Sequence, residues 1–359
     1  MKKIYTFMVS LGVLLAIAAA TPVSLARREA GQRSEERISF TAHVEQFGQL
    51  RNVIGDRLTY IDSLTVIGPV DSTDFYTMYQ CALHGCLRAL NLENARLDRD
   101  EVPDSAFSHL SEQNKPTFIR LSNFHRVILP EGTRRIGIHA FAYSNVEDVN
   151  LPESLEEIGK AAFYHTNLKG RLVIPPKITR ISNAAFGLNK EIEEIVFHSG
   201  IEEIGRLAFS DLYKLRRLEL PEGLRILGGK AFAETKVLEY LYIPSTLDSV
   251  TLRQGGPFDG YSYCPIKQVR IADGIKRIPE NLFFKAPVHW LTLPESVTEI
   301  GPYGCSSQNI KGITLSSNLK TIGESGLPYH LKTVIFPASI RNLGAGLFWD
   351  IRTIYCLSP

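Results

Sequence analysis

Cysteine is scarce in this chain. Its 359 residues hold five, scattered from Cys81 to Cys356, which is too few for a disulfide framework. No Cys-x-x-Cys pair or Cys/His spacing suited to zinc occurs, so no metal site is expected. An excess of one charge is missing too. Forty Lys and Arg against 38 Asp and Glu leave +2, which argues against a global attraction to nucleic acid or anionic lipid. Catalytic signatures are also missing: there is no H-E-x-x-H, no G-x-S-x-G and no EF-hand loop. Gly223 to Lys230 resembles a phosphate loop, but its spacing is off by one and Ala231 replaces the Ser/Thr that would hold magnesium. The nine histidines do not cluster, so a Ser-His-Asp set assembled across distant segments is the one remaining route to catalysis. The expectation is a non-enzyme without cofactors.

What is present begins with a targeting segment. Lys2 and Lys3 precede an apolar stretch from Ile4 to Ala20, and small residues then offer cuts after Ala20 or Ala26. That pattern describes a secretory signal peptide over 1–26; the alternative, an uncleaved anchor, needs about 20 apolar residues. No second apolar run of spanning length follows, so no stable membrane span is expected after signal removal. The protein should be exported and secreted, surface-bound or periplasmic. Residues 27–43 read as a flexible leader, charged from Arg27 to Arg37.

From Leu129 to Cys356 the sequence repeats. A Leu-Pro-like step recurs at Pro130, Pro152, Pro175, His198, Pro221, Pro244, Ala272, Pro294, Ser316 and Pro337. Only the step from Pro244 to Ala272, 28 residues, departs from intervals of 21 to 23. Six residues after each step stands an aliphatic residue, such as Ile136, Ile158, Ile181 or Ile204. An Ala-Phe pair follows at Ala140-Phe141, Ala162-Phe163, Ala185-Phe186, Ala208-Phe209 and Ala231-Phe232. A period in this range predicts a leucine-rich repeat solenoid, with a strand-lined concave face and short turn or helical segments opposite. Phe should stack on Phe along the interior, and glycines such as Gly137, Gly159 and Gly228 should let the chain turn. Cys305 takes a Phe slot and Cys356 an inward strand slot, so both read as core residues.

Residues 44–123 read as an N-terminal cap with the first irregular repeats, and 124–359 as regular repeats. In the cap, Ile61 to Ile67 reads as a strand stopped by Gly68-Pro69, and Asp71 to Asp74 as the start of a helix through about Ala82. Cys81 and Cys86 flank the helix end, either bridged or as two thiols.

The unit L-P-x-x-Φ-x-x-I-G-x-x-A-F, with Φ aliphatic, is clearest at Leu151-Pro-Glu-Ser-Leu-Glu-Glu-Ile-Gly-Lys-Ala-Ala-Phe163. It resembles the BspA-like (LRR_5) leucine-rich repeats of surface and secreted proteins of Bacteroidetes type. Leu64 to Phe75 is similar to the N-terminal cap of such proteins. The resemblance spans roughly 44–359 and implies cell-surface adhesion or host interaction, with no catalytic residues to carry over.

The outward strand positions are the candidate surface. The first of them reads His125, Glu147, Gly170, Glu193, Arg216, Glu239, Lys267, His289, Lys311, Lys332, Arg352, which grades from acidic to basic. Aromatic residues gather with cations at Tyr240, Tyr242, Lys267, Gln268, Arg270, His289 and Trp290, and the insertion Arg253 to Cys264 adds Tyr261 and Tyr263. Such a patch suits a protein or glycan ligand; otherwise it is solvated scaffold edge. Competing readings are an envelope assembly protein that binds a partner through its C-terminal end, and a glycan-capturing accessory protein. The last strand, Ile351 to Cys356, has no polar segment after it, which predicts either self-association through that edge or a partner that covers it.

Overall fold

Ile136, Ile158, Ile181, Ile204, Leu227, Ile278, Ile300 and Ile322 all point into the interior of a parallel β-solenoid. The computed structural model describes residues 37–108, 121–251, 255–260 and 266–357. The signal segment, the leader up to residue 36, and Tyr261 and Tyr263 lie outside them. No helix among the described residues is long and apolar enough to cross a membrane.

Each coil carries two strand segments. The front series runs from Arg126–Ile128 to Thr353–Cys356 and includes Arg217–Glu219, Tyr240–Ile243 and Gln268–Ile271, paired in register. The aliphatic slot six residues after the Pro step forms a second series of two- or three-residue strands. Four of these, Arg180–Ile181, Glu203–Ile204, Ile226–Gly228 and Ser249–Thr251, make one continuous parallel ladder. The turn segments expected opposite the front strands thus contain a back ladder. Among the described residues, helix occurs only in the N-terminal part.

The phenylalanine column forms as expected. Phe107, Phe141, Phe163, Phe186, Phe209 and Phe232 stack with centroids 5.2 to 5.4 Å apart. The next ring comes from the insertion: Phe258 lies 6.1 Å from Phe232, and the Phe232 amide donates to the Pro257 carbonyl at 2.9 Å. Part of the insertion therefore fills the core. Cys305 continues the column as a buried thiol.

The glycines after the aliphatic slot do not serve to turn the chain. A Cβ on Gly159 would stand 2.7 Å from the Gly137 carbonyl carbon, so glycine lets neighbouring backbones pack. The left-handed turn instead falls on the residue before the Ala slot, at His139, Ala161, Ala184, Leu207 and Lys230, with φ of 53° to 59°. Non-glycine residues seldom adopt this conformation. Here it accompanies axial hydrogen bonds: the amides of Phe141, Phe163, Phe186 and Phe209 donate to the Ala-slot carbonyl of the next coil, each at 2.8 Å.

The N-terminal part begins earlier than its sequence suggests. Ile38–His43, assigned to the leader above, is a strand that pairs in parallel with Ile61–Val70. That second strand continues through Gly68-Pro69. Gly68 has φ +107°, and any Cβ there would collide with the Val44 carbonyl, so glycine permits the approach. The helix Ser72–His84 starts where the N-cap signal places it. Asp71 accepts from the Thr73 and Asp74 amides, and the buried Asp74 carboxylate accepts from the amides of Gly48, Leu50 and Asp71. Phe75 of this helix packs edge-on against Phe107, which leads the ring column. Cys81 and Cys86 are free thiols.

Cys356 departs from its expected core role. It pairs with Phe336 in register, but no further coil covers it among the described residues, and it is exposed.

Candidate ligand-binding face

Strand geometry sends alternate residues outward, so each front strand contributes to columns that run along the solenoid. Tyr240 pairs with Gln268, and the Ile266–Val288 bridge sets Gln268 opposite Trp290. Tyr242 and Arg270 occupy the neighbouring outward column. Lys267 and His289 precede their strands in the first column. The seven candidate residues therefore share one face.

Their side chains turn to different partners. The Arg217 guanidinium lies 3.9 Å from the Tyr240 ring centroid, on the side toward the N-terminal coils. The Tyr242 hydroxyl donates to Glu222 at 2.7 Å; burial and this carboxylate push its pKa up to about 12. Lys267 pairs with Glu239 at 3.2 Å. Desolvation, reinforced by Lys311, holds His289 below its ordinary value. Trp290 leans the other way. Its indole lies over Gly312, where any Cβ would collide with the ring carbons, and 70% of the residue stays exposed.

The expected grading of charge along the first outward column is modified by pairing between coils. Glu147 accepts from Lys169 at 2.6 Å and contacts His125 at 3.0 Å. Glu239 is shared by Arg216 at 2.9 Å and Lys267 at 3.2 Å. The acidic end is thus largely neutralised. At the other end, Lys311, Lys332 and Arg352 follow one another with no ion pair among the described residues.

Two clefts open on this face, each where the front ladder loses its hydrogen bonds. One, of about 450 Å³, lies between Glu191–Val196 and Arg217–Glu219 and is lined by Glu193, Glu194, Arg217, Glu219 and Tyr242. The larger, of about 870 Å³, lies between Gly312–Thr314 and Thr333–Phe336. Its walls include Trp290, Lys311, Gly312, Lys332, Ile335 and Leu357. No backbone hydrogen bond joins these two strands, whereas the back strands Glu299–Ile300, Thr321–Ile322 and Asn342–Leu343 remain paired. Of the aromatic and cationic patch expected from sequence, only Trp290 lines this cleft, joined by Lys311 and Lys332 of the first outward column. Gly312, Thr333 and Ile335 were missed, and their sequence signal is only membership of the outward columns.

The family model described as "BspA type Leucine rich repeat region" matches residues 111–239 and 258–357, in six copies. Among solved structures, a leucine-rich repeat protein from Bacteroides ovatus is 18% identical, covering 73% of this chain and 77% of its own, with a TM-score of 0.48. A leucine rich cell surface protein from Faecalibacterium prausnitzii is 14% identical over 86% of this chain and 84% of its own, with a TM-score of 0.29. No curated protein matches. With the repeat family matched over more than half its length, the chain belongs to the BspA-type leucine-rich repeat proteins.

Proposed function

We propose that this protein is an exported, non-catalytic binding scaffold that engages a protein or glycan ligand through its strand-lined face, in adhesion or host interaction. The observation that carries this reading is the larger cleft, lined by an exposed Trp290 and by two lysines that make no ion pair among the described residues. Exposed aromatic residues flanked by cations are typical of contact surfaces, and the rest of the repeat is accounted for by packing. Export rests on the N-terminal segment.

The test is binding of the full-length protein to an array of host proteins and cell-surface glycans, with Trp290→Ala and Lys332→Ala alongside. A ligand lost by both variants supports the reading; ligands indifferent to both would remove the cleft from it. Fractionation of producing cells addresses export, and strict confinement to the periplasm would count against host adhesion.

Self-association through the coil that carries Trp349 and Tyr355 is a second reading. Phe348, Trp349, Ile354, Tyr355 and Leu357 are all exposed there, and such apolar surface favours a partner. Light scattering across a concentration series tests it; a monomer at every concentration would refute it.

A further inference from the structure

We propose that the cleft between Gly312–Thr314 and Thr333–Phe336 takes an acidic glycan, its carboxylates or sulfates on Lys311 and Lys332 and one sugar ring against Trp290. This inference rests on the binding reading above and names the ligand class.

Three observations carry it. The first is unmet charge. Coils from 125 to 267 place acids between cations in the outward column, as Glu147 and Glu239 show. From His289 onward the column holds His289, Lys311, Lys332 and Arg352 with no acid among them. Lys332 and Arg352 stand on paired strands, where like charges destabilise a sheet, so an anion laid along the column relieves a repulsion the fold leaves in place. The acid that lines the cleft, Glu295, is hydrogen-bonded to Ser317, which lines it too: its carboxylate accepts from the Ser317 amide at 2.9 Å and from the hydroxyl. Asp350 faces His330 at 3.8 Å.

The second is the aromatic surface. Trp290 reaches over Gly312 and keeps most of its area in solvent. Its ring fills the space a side chain on Gly312 would take, and the residue lines the cleft. A flat apolar face suits the C–H face of a pyranose. It has no special complement in a flexible acidic side chain.

The third is spacing. Paired coils rise by about 4.8 Å, and Lys332 with Arg352 stands on such a pair, while Lys311 lies on the other side of the cleft, where the front strands are not paired. That rise is close to the length of one sugar in an extended chain. An extended acidic peptide repeats its same-side carboxylates at about 6.8 Å, twice the strand rise per residue, and falls out of step with the coils. The cleft, about 870 Å³ and open along one side, accommodates a short run of rings.

The experiment is calorimetric titration of the full-length protein with hexagalacturonate, a heparin hexasaccharide, the methyl ester of hexagalacturonate and hexaglutamate. Binding of at least one of the first two is expected, at least tenfold tighter than either of the last two and weakened by salt. The better of the first two tells carboxylate from sulfate. Trp290→Ala and the double variant Lys311→Gln/Lys332→Gln should each reduce that binding at least tenfold. All these side chains are on the surface, so far-UV circular dichroism should be unchanged. Failure of both acidic sugars, equal binding of the methyl ester, or equal binding of hexaglutamate overturns the proposal. If array ligands still depend on Trp290 and Lys332, that failure concerns the ligand class and leaves the cleft as the binding site.

Discussion

Phe186→Ala removes one ring from the middle of the interior column. Phe186 is fully buried between Phe163 and Phe209, each 5.4 Å away and inclined by only 4°. Burying a phenylalanine side chain contributes about 1.5–3 kcal/mol, and each stacked pair adds about 0.5–1.5 kcal/mol. With two pairs the total is about 2.5–6 kcal/mol, which brackets the roughly 3–5 kcal/mol typical of Phe→Ala in a core. The cavity should not collapse. Its walls are held by the Arg180–Ile181 and Glu203–Ile204 pairing and by the axial bond from the Phe186 amide to the Ala208 carbonyl at 2.8 Å. We therefore expect a loss of about 3–5 kcal/mol. Each coil depends on its neighbours, so weakening a central interface should also broaden unfolding or split it into two steps. Guanidinium unfolding followed by far-UV circular dichroism measures both effects. Trp290→Ala is the control and should shift stability by no more than about 0.5 kcal/mol, as a surface change does. Equal midpoints for the two variants would refute the assignment of slots to interior and surface.

Gly159→Ala should destabilise by about 1–3 kcal/mol, as overpacking does, because its Cβ meets the Gly137 backbone; an unchanged melting temperature would show that the coils have slack. Acid should weaken the fold in two stages. Burial, helped by Lys160, holds His139 below its ordinary 6.5, so the unfolded chain takes up a proton first and stability falls as pH drops below 6.5. The hydrogen bond from Lys169 holds Glu147 below its ordinary 4.5, and that contribution is present above 4.5 and lost as pH falls further. Melting temperatures across this range should show both stages, and His139→Gln should reduce the first, to which His289 also contributes. Among thiols, burial pushes Cys81 up to about 11 and raises Cys305 as well, so both should stay protonated and inert at neutral pH. Peptide mapping after brief treatment with a thiol reagent should find Cys356 labelled and these two untouched; early labelling of Cys305 would contradict its place in the core.

Much of the fold was legible in the sequence because solenoid packing is local. An aliphatic residue six positions after a Pro step has only one wall to face where a further coil is stacked on it; Leu343 in the last coil, left exposed, shows the contrast. Stacking of identical coils turns that spacing directly into a ladder and a ring column. The helix at Ser72 was legible through its N-cap residues. Several readings failed where a second segment supplies the missing contact. Gly68-Pro69 looks like a strand stop until Val44 approaches Gly68. The glycines after the aliphatic slot look like turn residues until the next coil is stacked on them. Ile38–His43 looks like leader until it has Ile61–Val70 to pair with.

The candidate surface divides in the same way. Periodicity alone determined which side chains point outward, and so placed Tyr240, Tyr242, Arg270 and Trp290 on one face. Tertiary structure decided which of them remain available. Arg217 covers Tyr240, Glu222 engages Tyr242, and Gly312 leaves room for the exposed Trp290 ring. It also decided where the face opens, because an interval of 21 or 22 residues reads the same whether or not neighbouring front strands are hydrogen-bonded. Between Gly312–Thr314 and Thr333–Phe336 they are not, while the back strands are. The repeat thus specifies the direction of each side chain, but the partners that occupy or free it come from other coils and exist only once those coils have stacked.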